Sequence, residues 1–303
     1  MGYRKILLAL TILLLPSAAT LLLYYALRQE NIPTSRNAIG QVTIYAGTGE
    51  PGFADGPATS AKFADPFGVA VDRRGNVIIA DGGSANRIRR ITPAGQVETI
   101  AGSVEGFRDG RGDVAEFNTP SGLAVDGSGD IIIADTANNR IRQLDTRGLV
   151  STLAGNGERG FRDGPASEAQ FDGPIGVAVD REGNIFVADA YNDRIRKISR
   201  DGYVSTLAGA GTPGYGDGFA DAALFDTPCG VAVDDKGNVF VADTGNDAIR
   251  KITPQGEVTT ITGNIPEAEI RLDRPIGIVV THDGFLFVAE EGRGRISRIT
   301  PEG

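Results

Sequence analysis

One string recurs along the chain and limits what it can fold into. PFGVAVDRRGNVIIAD, PSGLAVDGSGDIIIAD, PIGVAVDREGNIFVAD, PCGVAVDDKGNVFVAD and PIGIVVTHDGFLFVAE begin at Pro66, Pro120, Pro174, Pro228 and Pro275, at intervals of 54, 54, 54 and 47 residues. A fixed period of this length means an array of equal units, none of which can bury both of its faces alone. In the third unit, Gly176 to Val179, Asn184 to Ala188, Arg194 to Ile198 and Val204 to Leu207 are rich in Val, Ile and Phe. They are too short for helices and read as strands. Between them stand turn formers such as Asp180–Asn184 and Arg200–Gly202. The chain's 42 glycines suit many tight hairpins. Four short antiparallel strands per unit is the blade of a β-propeller.

The expected class is therefore all-β: about five four-stranded blades over residues 42–303. The fifth copy stops after its third strand. The fourth strands of the other copies follow V-x-T-[IL]-[AT]-G, and a similar run, VTIYAG, lies near the start at Val42–Gly47. This strand is expected to pair onto the last blade and close the ring, which would satisfy two open sheet edges. A sixth blade stays possible if the chain is a fragment.

Residues 6–27 contain no charge and follow Arg4 and Lys5. As a helix they would span about 33 Å, enough for a bilayer core of about 30 Å. The expected layout is a cytoplasmic stub at 1–5, a signal anchor at 6–27, a polar tether at 28–41 and the propeller outside. The basic flank sets that orientation. A cleaved signal peptide ending near Ser17-Ala18-Ala19 is the alternative. Either way the expected location is extracytoplasmic, at the cell membrane if the segment is retained.

Net charge is −9, which argues against nucleic-acid partners. A single His282 excludes a His-rich metal centre, and a single Cys229 excludes an internal disulfide. Three G-x-G-x-x-G stretches lead back into strands, so they are not dinucleotide loops. Arg111-Gly112-Asp113 is a chance tripeptide. Neither a nucleophile elbow nor a Cys–His pair is evident. No enzyme and no cofactor are expected.

The string GVAVD-x-x-GN-[IV]-[FIV]-[VI]-AD-x-x-N-x-R-I-R-K-I, nearly complete from Gly176 to Ile198, resembles the NHL repeat family. The resemblance covers residues 42–303. It implies a propeller and leaves the function open: protein-binding platforms, RNA-binding domains and extracytoplasmic sensor domains use such repeats. Related propellers include lactonases. Most NHL propellers have six blades, and five is a departure.

In a propeller, the loops from strand four to strand one and from strand two to strand three share a face. Here that face carries the long loops, such as Ala154–Pro174. Long loops on a rigid scaffold are the usual place for binding. The acids closing each second strand, Asp81, Asp135, Asp189, Asp243 and Glu290, are expected on this face. Arg87, Arg140, Arg194 and Arg295 open the third strand beside four of them and are expected to pair locally. Position 248 is Ala. Asp243 is thus either a free carboxylate or a borrower of Arg250, with Cys229 at the mouth of the same blade. The five acids could instead ring a cation such as Ca²⁺, and a metal-dependent hydrolase of the lactonase type is the alternative function. In the recurring GFRDG, the aromatic is expected to plug between blades and the Asp to cap a turn. Arg108 and Arg162 are the expected contact residues. The leading expectation is a module that binds or senses a protein or small ligand.

Overall fold

The computed structural model describes residues 43–263 and 271–300. The expected stub, anchor and tether lie outside the described residues, as does Val42. Among the described residues no helix is long and apolar enough to cross a membrane.

Tyr45–Gly303 form one compact unit, an all-β propeller of five blades. The third blade shows the rule. Its strands Pro174–Val179, Ile185–Asp189, Arg194–Ile198 and Tyr203–Ala208 pair antiparallel in chain order. A two-residue strand, Gly164–Pro165, from the preceding long loop adds to the outer edge against Val204 and Tyr203. Blades one to four all have this five-stranded form. The outermost piece is too short to carry a periodic pattern in sequence.

The core lies between blades. One cluster joins Phe186, Ile195 and Ala208 of blade three to Val231, Val239 and Val241 of blade four. Phe117, Phe171 and Phe225, from the long loops, are fully buried. Each contributes about 2 kcal/mol of burial. The blades also latch. Asn86, Asn139, Asp193 and Asp247 adopt a left-handed conformation at the entrance to strand three. Their side-chain oxygens accept from the backbone N–H of Thr119, Gly173, Thr227 and Arg274 in the next blade, at 2.7–3.0 Å. Asn and Asp tolerate this backbone and reach its neighbours.

Among the described residues the expected ring closure is not formed: Tyr45–Thr48 carry no strand, and the fifth sheet has three strands, Pro275–Val280, Leu286–Glu290 and Arg295–Ile299. Among the described residues the outer faces of blades one and five are uncovered. Val69 of blade one is 61% exposed, whereas its counterparts Leu123, Val177, Val231 and Ile278 are 7% or less. Ile296 of blade five is 68% exposed, whereas Ile88, Ile141, Ile195 and Ile249 are fully buried. Blade five also has Gly294 where the others place the latching Asn or Asp.

Candidate functional site

The acids that close the second strands are buried, not displayed. Asp81, Asp135, Asp189 and Asp243 are fully buried, and Glu290 is 2% exposed. Strand pairing places Arg87, Arg140 and Arg194 opposite the first three, yet the ion pairs form with the arginine two residues further on. Arg89, Arg142, Arg196 and Arg250 donate through Nη1 to Asp81, Asp135, Asp189 and Asp243 at 2.9, 2.5, 2.7 and 2.8 Å. Residues two apart on a strand point to the same side, so both arginines of the RIR string face the acid's side; the first is taken up elsewhere, Arg140 and Arg194 donating to the carbonyls of Asn156 and Ala210. The sequence signal was present: RIRRI, RIRQL, RIRKI and AIRKI all keep the second Arg.

Asp243 is therefore not free. It has Arg250, as the local alternative required, and Ala248 fills its place fully buried. Blade five departs from the other four. Ser297 stands in the buried arginine's position, and Glu290 takes Arg295 at 2.7 Å together with the Ser297 hydroxyl.

Each buried guanidinium ties a long loop down. Arg196 Nη2 donates to Asp163 Oδ1 and to the Arg162 carbonyl at 2.8 Å, while Nη1 also reaches the Gln170 carbonyl at 2.9 Å. Arg142 does the same with Asp109 and the carbonyls of Arg108 and Glu116. Asp163 and Asp109 also accept from the N–H of Thr206 and Thr152 on the outer strand. The Asp of GFRDG is thus a bridge between loop, buried Arg and outer strand, and not a turn cap. The aromatic is not a plug either. Phe107 and Phe161 are each 44% exposed, with Arg140 and Arg194 stacked over them at 3.7 and 3.8 Å. That is close enough for a cation–π contact.

The carboxylate oxygens are spent inside the blades. Asp189 accepts from the Asp172 N–H, Asn192 Nδ2 and Arg196 Nη1. Asp243 accepts from the matching Asp226 N–H, Asn246 Nδ2 and Arg250 Nη1. Burial nevertheless dominates: the carboxyls of Asp189 and Asp243 are each pushed up to about 6, and Asp135 is also raised. Among the described residues, no three of His, Cys, Asp or Glu come together to hold a metal ion. Cys229 is 8% exposed with its thiol toward the Thr227 carbonyl, and burial raises its pKa. A protonated thiol is a poor nucleophile.

Arg108 and Arg162 are the expected site residues that reach solvent. Both are exposed, and each backbone is fixed by a bridge, to Glu116 and to Gln170. Arg108 keeps one ion pair, with Glu116 at 3.2 Å. Their carbonyls are held by buried arginines while their side chains stand out.

The repeat string, the strand order and the Asp–Arg latch now stand together. Residues 117–144, 171–198 and 225–252 match the NHL repeat. The chain contains NHL repeats. It is 40% identical to NHL repeat-containing protein 2 of Gallus gallus over 97 residues, 31% of this chain and 13% of that protein. It is 26% identical to teneurin-3 of Danio rerio over 278 residues, 76% of this chain and 10% of that protein. The chain thus corresponds to a small part of either relative. Among solved structures, a gluconolactonase from Xanthomonas campestris superposes with a TM-score of 0.59 at 14% identity, covering 80% of this chain and 74% of that one. A nidogen/laminin complex does so at 0.58 and 19%, covering 78% and 75%. At such identities the likeness to an enzyme and to a component of a protein complex shows the fold alone.

Proposed function

We propose that this NHL propeller is a binding or sensing module that engages a protein or small ligand through its long-loop face, held outside the cytoplasmic membrane by residues 6–27. The observation that carries the reading is the split role of Arg108 and Arg162. Their backbones are pinned to buried guanidiniums and their side chains face solvent. Exposed arginines on a preorganised backbone bind at low entropic cost, and Arg is enriched at the centres of interfaces. The uncharged run at 6–27 after Arg4 and Lys5 supports the location.

The hydrolase alternative has a gluconolactonase of like fold in its favour. The acids on which it depends are bonded within the blades, so the binding reading is the better supported.

The test is crosslinking in intact cells followed by capture of the full chain. Arg108→Glu with Arg162→Glu should abolish a specific crosslinked product and leave thermal unfolding unchanged. An unaltered product would overturn the choice of face. External protease cutting the propeller in spheroplasts, and not only after lysis, checks the location.

A further inference from the structure

We infer that the short-turn face carries a second binding site, a groove between blades one and two that takes a small organic anion with an apolar body, such as a medium-chain carboxylate.

The repeat supplies its own controls. At the tips of the first hairpins, blades three, four and five are zipped through Asp235. Arg181 Nη2 meets Asp235 Oδ1 at 2.6 Å, and His282 Nδ1 lies 2.8 Å from Asp235 Oδ2. Blade one has Arg73-Arg74 at that tip, and blade two opposes it with Gly127-Ser128. No acid on blade two's tip answers the pair. The Arg73 Nη2 stands 3.9 Å from where a Cβ on Gly127 would be. Among the described residues neither guanidinium has an ion pair or side-chain hydrogen bond, though the Arg74 charge acts on the Asp72 carboxylate of its own turn.

A groove of about 560 Å³ opens here, within the size range of small-molecule sites. Ile78, Ile100, Ile131 and Leu144 line its apolar part, with Ile100 half-buried and the other three at most 7% exposed as the edge of the core between the two blades. The other charges along it are already engaged. Arg90 pairs with Glu98 at 2.7 Å, Arg147 with Asp145 at 2.7 Å, and Asp72 accepts from Asn76 and the Arg74 N–H within its own turn. What remains is the Arg73 guanidinium, turned toward blade two, with Arg74 next to it at the polar end of the groove. Arginine is well matched to a carboxylate because its planar fork can donate two parallel hydrogen bonds. The wall contributes by burying a hydrocarbon. In a chain of net charge −9, two adjacent exposed arginines that face a tip without an acid favour an anion here.

Isothermal titration of the full chain with octanoate tests this. Saturable one-to-one binding is expected, weakened at least about tenfold by Arg73→Ala with Arg74→Ala. Both residues are exposed, so the double variant should fold normally, checked by its unfolding midpoint. Ser128→Glu, which places an acid at the opposing tip, should also block binding. Absence of saturable heat, or binding indifferent to the double variant, overturns the site. Inorganic phosphate binding as tightly as octanoate overturns the apolar half. The Arg108→Glu, Arg162→Glu variant should bind octanoate normally, so this site and the long-loop reading fail separately.

Discussion

Arg196 and Asp189 face each other with both side chains fully buried, Nη1 donating to Oδ2 at 2.7 Å. The pair is the hub of its blade, because the same guanidinium holds Asp163 and two loop carbonyls. Removing one member of a buried pair leaves an uncompensated charge, which typically costs about 3–5 kcal/mol. Arg196→Met should therefore destabilise by that amount in urea unfolding. Arg196→Lys should rescue little, since an ammonium cannot reproduce the planar fork. Arg162→Ala, on the same loop but exposed, should stay within about 0.5 kcal/mol of the parent.

The same carboxylate gives a pH signature. Burial lifts Asp189 and Asp243 to about 6, above the ordinary 3.8 of aspartate. Between these values the folded state binds protons that the unfolded chain has released. Their contribution to stability is thus fully present below about pH 4 and is lost as pH rises through about 6. Asp189→Asn removes it. The stability gap between parent and variant should narrow by on the order of 2 kcal/mol from pH 4 to pH 7. A gap that does not change with pH would show that Asp189 titrates like a free aspartate.

The uncovered end faces make a third expectation. Val69→Lys and Ile296→Lys place a charge where the side chain is 61% or 68% exposed, and the unfolding midpoint should move little. Val177→Lys and Ile195→Lys place the same charge at 6% and 0% exposure and should prevent stable folding. Equal damage at both sets would show that blade one and blade five are covered in solution.

Strands and blades were readable because period-two patterns repeat in each copy, so one well-formed unit such as Gly176–Ile198 interprets the weaker ones. Ring closure is not legible because the Val42–Gly47 run suggests a strand of the fourth type without specifying its partner. Adjacency across the turn points to Arg140 and Arg194, which share a strand side with Arg142 and Arg196; only the folded loops show that the first two are spent on the carbonyls of Asn156 and Ala210. The inter-blade latches of Asn139 and Asp193 were missed for a different reason. A lone Asn or Asp before a strand looks like ordinary turn chemistry, and its partner 34 residues away appears only when blades stack. The groove at Arg73 was invisible for a similar reason: it depends on what blade two lacks at Gly127.

The glycine that opens each GVAVD string yields the sharpest contrast. A Cβ on Gly176 would lie 2.3 Å from the Cys229 carbonyl oxygen of the next blade, and one on Gly122 would lie 2.3 Å from that of Ile175. These contacts are with backbone, so no side chain can swing aside and the blades must part. Gly277, in the same place on blade five, would put its Cβ 3.5 Å from Ala289 Cβ within its own blade, an ordinary contact. Gly176→Ala should therefore cost about 1–3 kcal/mol, the usual penalty of overpacking. Gly277→Ala should be neutral or slightly stabilising through reduced freedom of the unfolded chain. Urea unfolding of the two variants decides it. If they lose stability equally, a further layer covers Gly277 in solution, and the open end of the array is closed there.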